Sequence, residues 1–266
     1  MNVNQALKDV ENSVRNLISY QLNKQFGIDW ILKCGVSEER LQIWRDRQIE
    51  EIKRIGTTDD RLIYFSDFYD LATILKKHWG TCFSSVFGKQ NRFEALWEIL
   101  EMFRNPDAHR RELLPYQKNL LLGISGKIRT EITSYFSKME TGEAYFPRLE
   151  AVYDNLGNSW TYGTDEIELK CIVTDKILRP GDILQFTATA FDPLGEPLLY
   201  YFITRYLKDE DWTVDSYKTI EVTKDHIGSK FSVEVGLKSN RSYHASYFND
   251  DAVRFMYTVL PSIELR

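Results

Sequence analysis

The stretch from Arg104 to His109, Arg-Asn-Pro-Asp-Ala-His, combines three residue types that can act on a phosphate. A guanidinium stays charged at working pH and grips a phosphate through two hydrogen bonds, whereas an imidazole exchanges a proton near neutrality. The amide of Asn105 can orient either group. Such a set can cleave RNA without a metal by activating the 2′-hydroxyl, stabilising charge on the phosphate and protonating the leaving 5′-oxygen. We therefore predict Arg104, Asn105 and His109 as catalytic residues.

Two helices must position this motif. An amphipathic pattern predicts one helix over about 91–104, and a Leu/Ile-rich pattern predicts another over about 115–138. Pro106 stops the first helix and turns His109 back toward Arg104. The sequence therefore places the motif at the junction between two core helices.

Basic residues follow the motif closely. We predict that Arg110, Arg111 and Lys118 attract the RNA backbone, because few acidic residues lie among them. For Lys118, and for Lys127 and Arg129 farther along, a solvated helix face is an equally good interpretation.

A purely structural interpretation of the motif stays open. Arg104 can cap the carboxyl end of its helix, and His109 can satisfy a backbone group. Asp107 repels phosphate unless it points outward or pairs with a neighbouring arginine. The three cysteines, Cys34, Cys82 and Cys171, lie far apart and lack zinc-ligand spacing, so we expect neither a metal site nor another cofactor.

Roughly the first half of the chain resembles the HEPN superfamily, and within it the Swt-type subgroup. The motif Arg-Asn-x-x-x-His fits the superfamily's Arg-x(4 to 6)-His signature, and the match extends through Val36–Leu41 and Tyr64–Trp79. The resemblance implies a helical bundle, ribonuclease activity, and two motif copies that meet across a homodimer interface. It also suggests a toxin or phage-defence role.

Helical periodicity runs through residues 1–140, which we expect to form an all-α bundle of about five helices. Val10, Val14, Leu17 and Ile18 fall on one face of the first helix. A second helix starts at Ser37–Arg40 and continues through Leu41, Trp44, Ile49, Ile52 and Ile55. A third helix is predicted over about 61–79, and two glycines then break the pattern over 80–90.

The second half of the chain changes character. Residues 141–165 contain turn-forming residues and are predicted as a linker or irregular connection, and residues 166–266 as an all-β sandwich domain. Six short strands are predicted, over 167–174, 183–191, 198–206, 218–223, 230–237 and 253–260. The run from Leu178 to Phe202 resembles an immunoglobulin-like module, without the cysteine pair of antibody domains. The expected fold class is thus α+β with two domains.

Charge divides the chain in the same way. The net charge of −5 combines +2 in residues 1–140 with −7 in residues 141–266. An acidic, aromatic-rich β domain suits a protein ligand or regulator better than RNA, and ordinary core and edge packing explains the aromatic residues equally well. With no long apolar stretch or secretion signal, we expect a cytoplasmic protein without a membrane partner. The alternative function is a non-catalytic scaffold that dimerises and binds RNA or protein.

Overall fold

The computed structural model describes residues 2–56, 58–104, 113–161, 170–204, 208 and 211–262. The chain divides into two compact units, Met1–Tyr135 and Phe136–Arg266, which we call the helical unit and the β unit. Helices come first along the chain and strands follow, so the predicted α+β composition is confirmed.

Seven α-helices occur in the described residues, and the last one crosses the boundary between the units. They are α1 (Val3–Phe26), α2 (Trp30–Lys33), α3 (Glu38–Ile55), α4 (Phe68–Lys77), α5 (Ser84–Phe87), α6 (Gln90–Arg104) and α7 (Pro115–Thr141).

The long helix α1 is buried on more than one face. Its predicted apolar face is confirmed, because Val10, Val14, Leu17 and Ile18 are fully buried. Polar side chains of the same helix are buried as well, among them Glu11, Ser13, Arg15, Asn16, Ser19 and Gln21. Buried polar groups must find hydrogen-bond partners within the protein. This helix therefore carries much of the internal polar chemistry of the helical unit.

Helix α3 has its buried residues in its first half and is largely exposed in its second. The predicted second helix is confirmed. Leu41 and Trp44 are buried, whereas Ile49, Ile52 and Ile55 are exposed. Near this end, α3 makes polar contacts with the segment that follows it, such as the hydrogen bond from Gln48 to the backbone of Asp59 (3.0 Å). Periodicity shows which residues share a face, but not whether another element covers it.

The single helix predicted over 61–79 is divided in two. A 3₁₀ turn spans Leu62–Phe65, and α4 begins after Asp67. Asp67 and Asp70 form a capping box: the side chain of each accepts a hydrogen bond from the other's backbone N–H. This local pairing starts a new helix. Residues 79–83 then form a π-helical turn that leads into α5, where we had predicted a break.

Helix α7 buries Leu121, Ile124 and Ile128 together with Arg129. The guanidinium of Arg129 lies 3.3 Å from the carboxylate of Asp9 on α1, so the solvated-face interpretation of Arg129 is wrong.

The β unit contains eight strands in its described residues. They are β1 (Arg148–Asp154), β2 (Ser159–Thr161), β3 (Cys171–Leu178), β4 (Ile183–Phe191), β5 (Leu198–Ile203), β6 (Tyr217–Glu221), β7 (Gly228–Ser239) and β8 (Asp251–Val259). One sheet has the order β2-β1-β4-β6, and the other has the order β3-β8-β7-β5. Strands β3 and β8 pair in parallel, and the other neighbours pair antiparallel.

Strand β4 has the predicted bounds, and five further strands lie at or near the predicted positions. The segment 141–165 is the exception. It contains β1 and β2, and β1 is an interior strand between β2 and β4, so the prediction of a linker is wrong there. The residues of β1 are mostly buried, and the turn residues that suggested a linker lie largely between β1 and β2.

The two sheets contact each other through buried aromatic side chains. The ring of Phe186 on β4 lies 5.4 Å from the ring of Phe255 on β8. The hydroxyl of Tyr257 on β8 donates a hydrogen bond of 2.7 Å to Asp154 on β1. Burial and the neighbouring charge of Asp154 raise the pKa of Tyr257, which stays protonated as a donor. The β unit is thus a two-layer structure with a polar bond inside its core.

Among the described residues, no helix combines the length and the apolar character needed to cross a bilayer.

Candidate active site at the end of helix α6

Arg104, the first residue of the predicted motif, is the last residue of α6. The helix is held by the buried side chains of Phe93, Trp97 and Leu100 on its inner face. Its carboxyl end therefore has a defined position, and Arg104 projects from a well-packed element. The side chain of Arg104 keeps 38% of its surface exposed.

A buried carboxylate on α1 holds the guanidinium of Arg104. Its Nη2 atom lies 3.0 Å from Oε1 of Glu11, whose side chain is only 8% exposed. The residues are 93 positions apart in sequence, so this ion pair joins α1 to the end of α6. A carboxylate in this place orients the guanidinium.

Glu11 serves a second arginine as well. Nη2 of Arg15, one turn later on α1, also donates to Oε1 of Glu11. Arg15 is buried, and it donates further to the backbone carbonyl of Ser66 (2.8 Å) and to Asn12 (2.9 Å). Two guanidinium groups share one carboxylate, so these three side chains together carry a net charge of +1.

The pKa of Arg15 reflects the charges of Glu11 and Arg104 beside it. Burial lowers its pKa and the charge of Glu11 opposes that change, while the charge of Arg104 lowers the pKa further. The positive charges of the two arginines therefore repel each other, and the negative charge of Glu11 offsets that repulsion.

An aromatic stack lies beneath Arg104. Its guanidinium carbon is 5.3 Å from the ring centre of Phe68, the first residue of α4. Phe68 in turn stacks on Trp97 with ring centres 3.9 Å apart and planes 9° apart. A cation over an aromatic face is stabilised by about 0.5–1 kcal/mol where it is partly exposed. The carboxylate and the ring together restrict where the guanidinium can lie.

A cluster of charges fixes the start of α4, and so the position of Phe68. Arg40 donates to both oxygens of Asp70 (2.9 and 2.7 Å), and the Trp44 indole donates to the same carboxylate (2.9 Å). Arg47 bonds Asp67 at 2.9 and 3.1 Å. Partial burial raises the pKa of Asp67, but the hydrogen bonds and charges of Arg47 and Arg40 outweigh that effect and lower it. Asp70 is 1% exposed and therefore caps the helix from the interior.

Four of the other predicted site residues, Asn105, His109, Arg110 and Arg111, lie outside the described residues. Lys118 is exposed near the start of α7. The structure thus brings Arg104 together with residues that we had not predicted.

Glu11 and Arg15 are the functional candidates that the sequence analysis missed. They lie four residues apart, beside the apolar face formed by Val10 and Val14, and are themselves buried. An acidic and a basic residue at this spacing often form a surface pair. This pair differs from such a surface pair only in being buried, and the spacing of residues in the sequence does not show burial.

His78 serves the fold. Its Nε2 atom lies 3.1 Å from the carbonyl of Lys33 and 3.0 Å from the carbonyl of Cys34, at the end of α2. Burial lowers the pKa of the imidazole, although these two carbonyls oppose the change. The ring therefore joins the end of α4 to the end of α2.

Among the residues that the structure describes, no group of three or more His, Cys, Asp or Glu side chains is arranged to hold a metal ion. In the β unit, the acidic side chains of the 192 and 250–251 turns make internal bonds instead. Asp192 pairs with Arg241, and Asp250 accepts hydrogen bonds from the backbone of Ser239 (2.8 Å) and of Ala245 (2.9 Å).

The turn between β7 and β8 displays aromatic side chains. Tyr247 is 98% exposed, and Tyr243 and Phe248 are about half exposed. A hydrogen bond joins the turn to β5, because the side-chain amide of Asn249 donates to the hydroxyl of Tyr201 (2.9 Å). Exposed aromatic residues are typical of protein-binding surfaces.

A comparison of the chain with models of known protein families and with curated proteins found no match.

Proposed function

We propose that this chain is a metal-independent endoribonuclease whose site is built on Arg104, Asn105 and His109. The observation that carries the proposal is the orientation and exposure of the Arg104 side chain. Its guanidinium is oriented by Glu11 and by the ring of Phe68, yet more than a third of its side chain is exposed. An arginine that only stabilises the fold needs no open surface, whereas one that binds a phosphate needs both a fixed position and access.

The proposed reaction assigns one role to each residue. The 2′-hydroxyl of the RNA gives its proton to a base and attacks the adjacent phosphorus, and the bond to the 5′-oxygen breaks as that oxygen gains a proton. The product ends are a 2′,3′-cyclic phosphate and a 5′-hydroxyl. His109 exchanges protons, Arg104 stabilises the charge on the phosphoryl oxygens, and Asn105 orients the imidazole or the phosphate.

Binding of the substrate is assigned to nearby cations. We propose that Arg110, Arg111 and Lys118 attract the RNA backbone. The net positive charge of Glu11, Arg15 and Arg104 supports this assignment, because it adds to the attraction at the motif itself.

The family resemblance extends the proposal to assembly and biology. We propose a HEPN-like bundle that pairs as a homodimer, with two motif copies in one composite cleft. In a cytoplasmic setting, such a nuclease acts as a toxin or phage-defence effector. The long buried helices of the helical unit are compatible with such a bundle.

For the β unit, we propose an immunoglobulin-like domain that binds a protein ligand or regulator. The strand order supports this interpretation. Strand β3 pairs in parallel with β8, the last strand, and the sheet continues from β8 through β7 to β5. The exposed aromatic turn at 243–248 is the proposed contact surface.

One observation favours the second candidate function, a non-catalytic scaffold. Arg104 already has a carboxylate partner within the chain, so a purely structural role also explains why it is held in place. In that case the bundle dimerises and binds RNA or protein without cleaving RNA.

The deciding experiment is RNA cleavage in EDTA by the purified protein. We expect His109→Ala and Arg104→Ala each to lower the rate at least about 100-fold, the usual contribution of a proton-transfer group or of a charge-stabilising donor. Arg92→Ala is the matched control, because Arg92 is an exposed arginine in the first turn of the same helix. Thermal unfolding of each variant shows whether a lost rate reflects a lost fold.

The product ends and the assembly complete the test. Products ending in a 2′,3′-cyclic phosphate support the proposed mechanism, and partial recovery of activity in a mixture of the Arg104→Ala and His109→Ala proteins supports a composite site. Intact RNA across several substrates, or equal cleavage by the folded variants and the wild type, contradicts the nuclease and leaves the scaffold.

A further inference from the structure

A groove between α4 and α6 offers a second binding site, which shares only the packing residues Phe93 and Trp97 with the residues described around Arg104. Its volume is about 310 Å³, at the small end of the range for small-molecule sites. Trp79, Phe93 and Trp97 lie along its apolar side and are buried. Clefts between the helices of a bundle are common places for small ligands.

The two walls of the groove differ in charge. The α6 wall carries Glu94, Glu98 and Glu101, and on the α4 wall the only charged lining residue is Lys76. Three carboxylates against one ammonium group give the lining a net charge of −2. Within the described part of the chain, Glu98 and Glu101 take part in no ion pair. The groove therefore attracts cations and repels the phosphates of RNA.

The helices run in opposite directions along the groove. Phe68, at the start of α4, stacks on Trp97, whereas Trp79, just after the end of α4, contacts Phe93 near the start of α6 with ring centres 5.3 Å apart. Lys76 is therefore level with the Glu94 end. The Glu101 end lies near Tyr69, which is 65% exposed and supplies an aromatic face for a cation.

The carboxylates are spaced along the groove by helix geometry. Glu94, Glu98 and Glu101 are four and three residues apart, which corresponds to about 6 Å and 4.5 Å at the rise of an α-helix. A chain of three or four methylene groups separates two amines by a comparable distance. The methylene groups match the apolar side of the groove, and the ammonium groups match its acidic wall.

We propose that this groove binds a linear aliphatic polyamine, with its ammonium groups along Glu94, Glu98 and Glu101 and its methylene chain against the buried aromatic residues. A small ligand is favoured over a basic segment of a protein, because a stable protein contact buries far more surface than a groove of this size provides. The site goes beyond the proposed nuclease and does not depend on it.

Titration with spermidine at low ionic strength, followed by tryptophan fluorescence, tests the proposal. Trp79 and Trp97 lie in the groove and report its occupancy. We expect a saturable change in fluorescence. The double variant Glu98→Gln/Glu101→Gln is expected to bind spermidine about tenfold more weakly, because it keeps the shape of the groove and removes two of the proposed ion pairs with the ligand.

The controls separate the groove from general attraction by an acidic protein. Glu50→Gln removes one exposed carboxylate of α3 and is expected to leave spermidine binding unchanged. Hexane-1,6-diol, which lacks charge, is expected not to bind. No saturable binding, equal affinity in the double variant, or equal weakening by Glu50→Gln overturns the proposal. Variants are compared only if their thermal unfolding matches that of the wild type, and RNA cleavage plays no part in the readout.

Discussion

The shared carboxylate of Glu11 makes the substitution Glu11→Gln a strong test of the site's architecture. The change keeps the size and one acceptor oxygen of the side chain, but it removes the charge between Arg15 and Arg104. Breaking a buried ion pair by removing one partner costs about 3–5 kcal/mol. The amide oxygen of glutamine can still accept one hydrogen bond, which recovers about 1 kcal/mol.

The pair with Arg104 adds little to this loss. Its guanidinium is 38% exposed, and pairs of that kind contribute up to about 1 kcal/mol. Altogether, Glu11→Gln is expected to lower the free energy of unfolding by about 3 kcal/mol. Urea denaturation followed by circular dichroism at 222 nm measures the loss, because most helical signal comes from the helical unit.

A second variant isolates the buried charge. Glu11→Gln/Arg15→Met removes both partners, and replacing a buried pair by neutral groups costs much less than breaking it. We therefore expect the double variant to be more stable than the single one. Glu50→Gln, at an exposed position, is expected to change stability by less than about 0.5 kcal/mol. A loss below about 1 kcal/mol in Glu11→Gln refutes the view that this carboxylate is a buried structural centre.

Three further predictions concern other parts of the fold. A Cβ at Gly236 would lie 2.3–2.5 Å from the buried side chain of Tyr201, so Gly236→Ala is expected to destabilise the β unit by about 1–3 kcal/mol. At Gly123 an added Cβ meets no atom within 4 Å, so Gly123→Ala is expected to stabilise α7 by about 0.5–1 kcal/mol. Both are measured by urea denaturation, and an unaffected Gly236→Ala protein contradicts the packing argument. Burial lowers the pKa of His78 in the folded state. Below about pH 6.5 the unfolded chain therefore binds more protons at this histidine than the folded chain does, and the free energy of unfolding decreases as the pH falls. His78→Asn is expected to lack this decrease between pH 7.5 and 5.5, and the same slope in both proteins contradicts it. Tyr257→Phe removes the hydrogen bond between the two sheets and is expected to cost about 1–2 kcal/mol in the same assay.

The sequence predicted most of the elements where local patterns and packing agree. Strand β4 has the expected bounds, and the apolar residues of α1 are buried as predicted. The sequence pattern is not sufficient where the outcome depends on what covers a face. The isoleucines of α3 follow a helical period but remain exposed. Turn residues at 155–158 suggested a linker, although the strands on either side of them belong to a sheet.

The candidate site was predictable only in part. The type and position of Arg104 could be read from the motif, because a helix pattern leads into it. Its partner Glu11 could not, since the two residues are 93 positions apart and no local pattern connects them. The same limit applies to the groove, whose walls come from two helices that meet only in the folded chain.

The position of β8 between β3 and β7 has a consequence for how the β unit can be made. During synthesis this strand leaves the ribosome after all the other strands of its sheet. Until it does, β3 lacks the neighbour with which it pairs, and β7 presents an open edge. Open edges invite pairing with other chains. The sheet that contains β3, β5, β7 and β8 is therefore completed only when its last-made strand inserts between two strands that are already present.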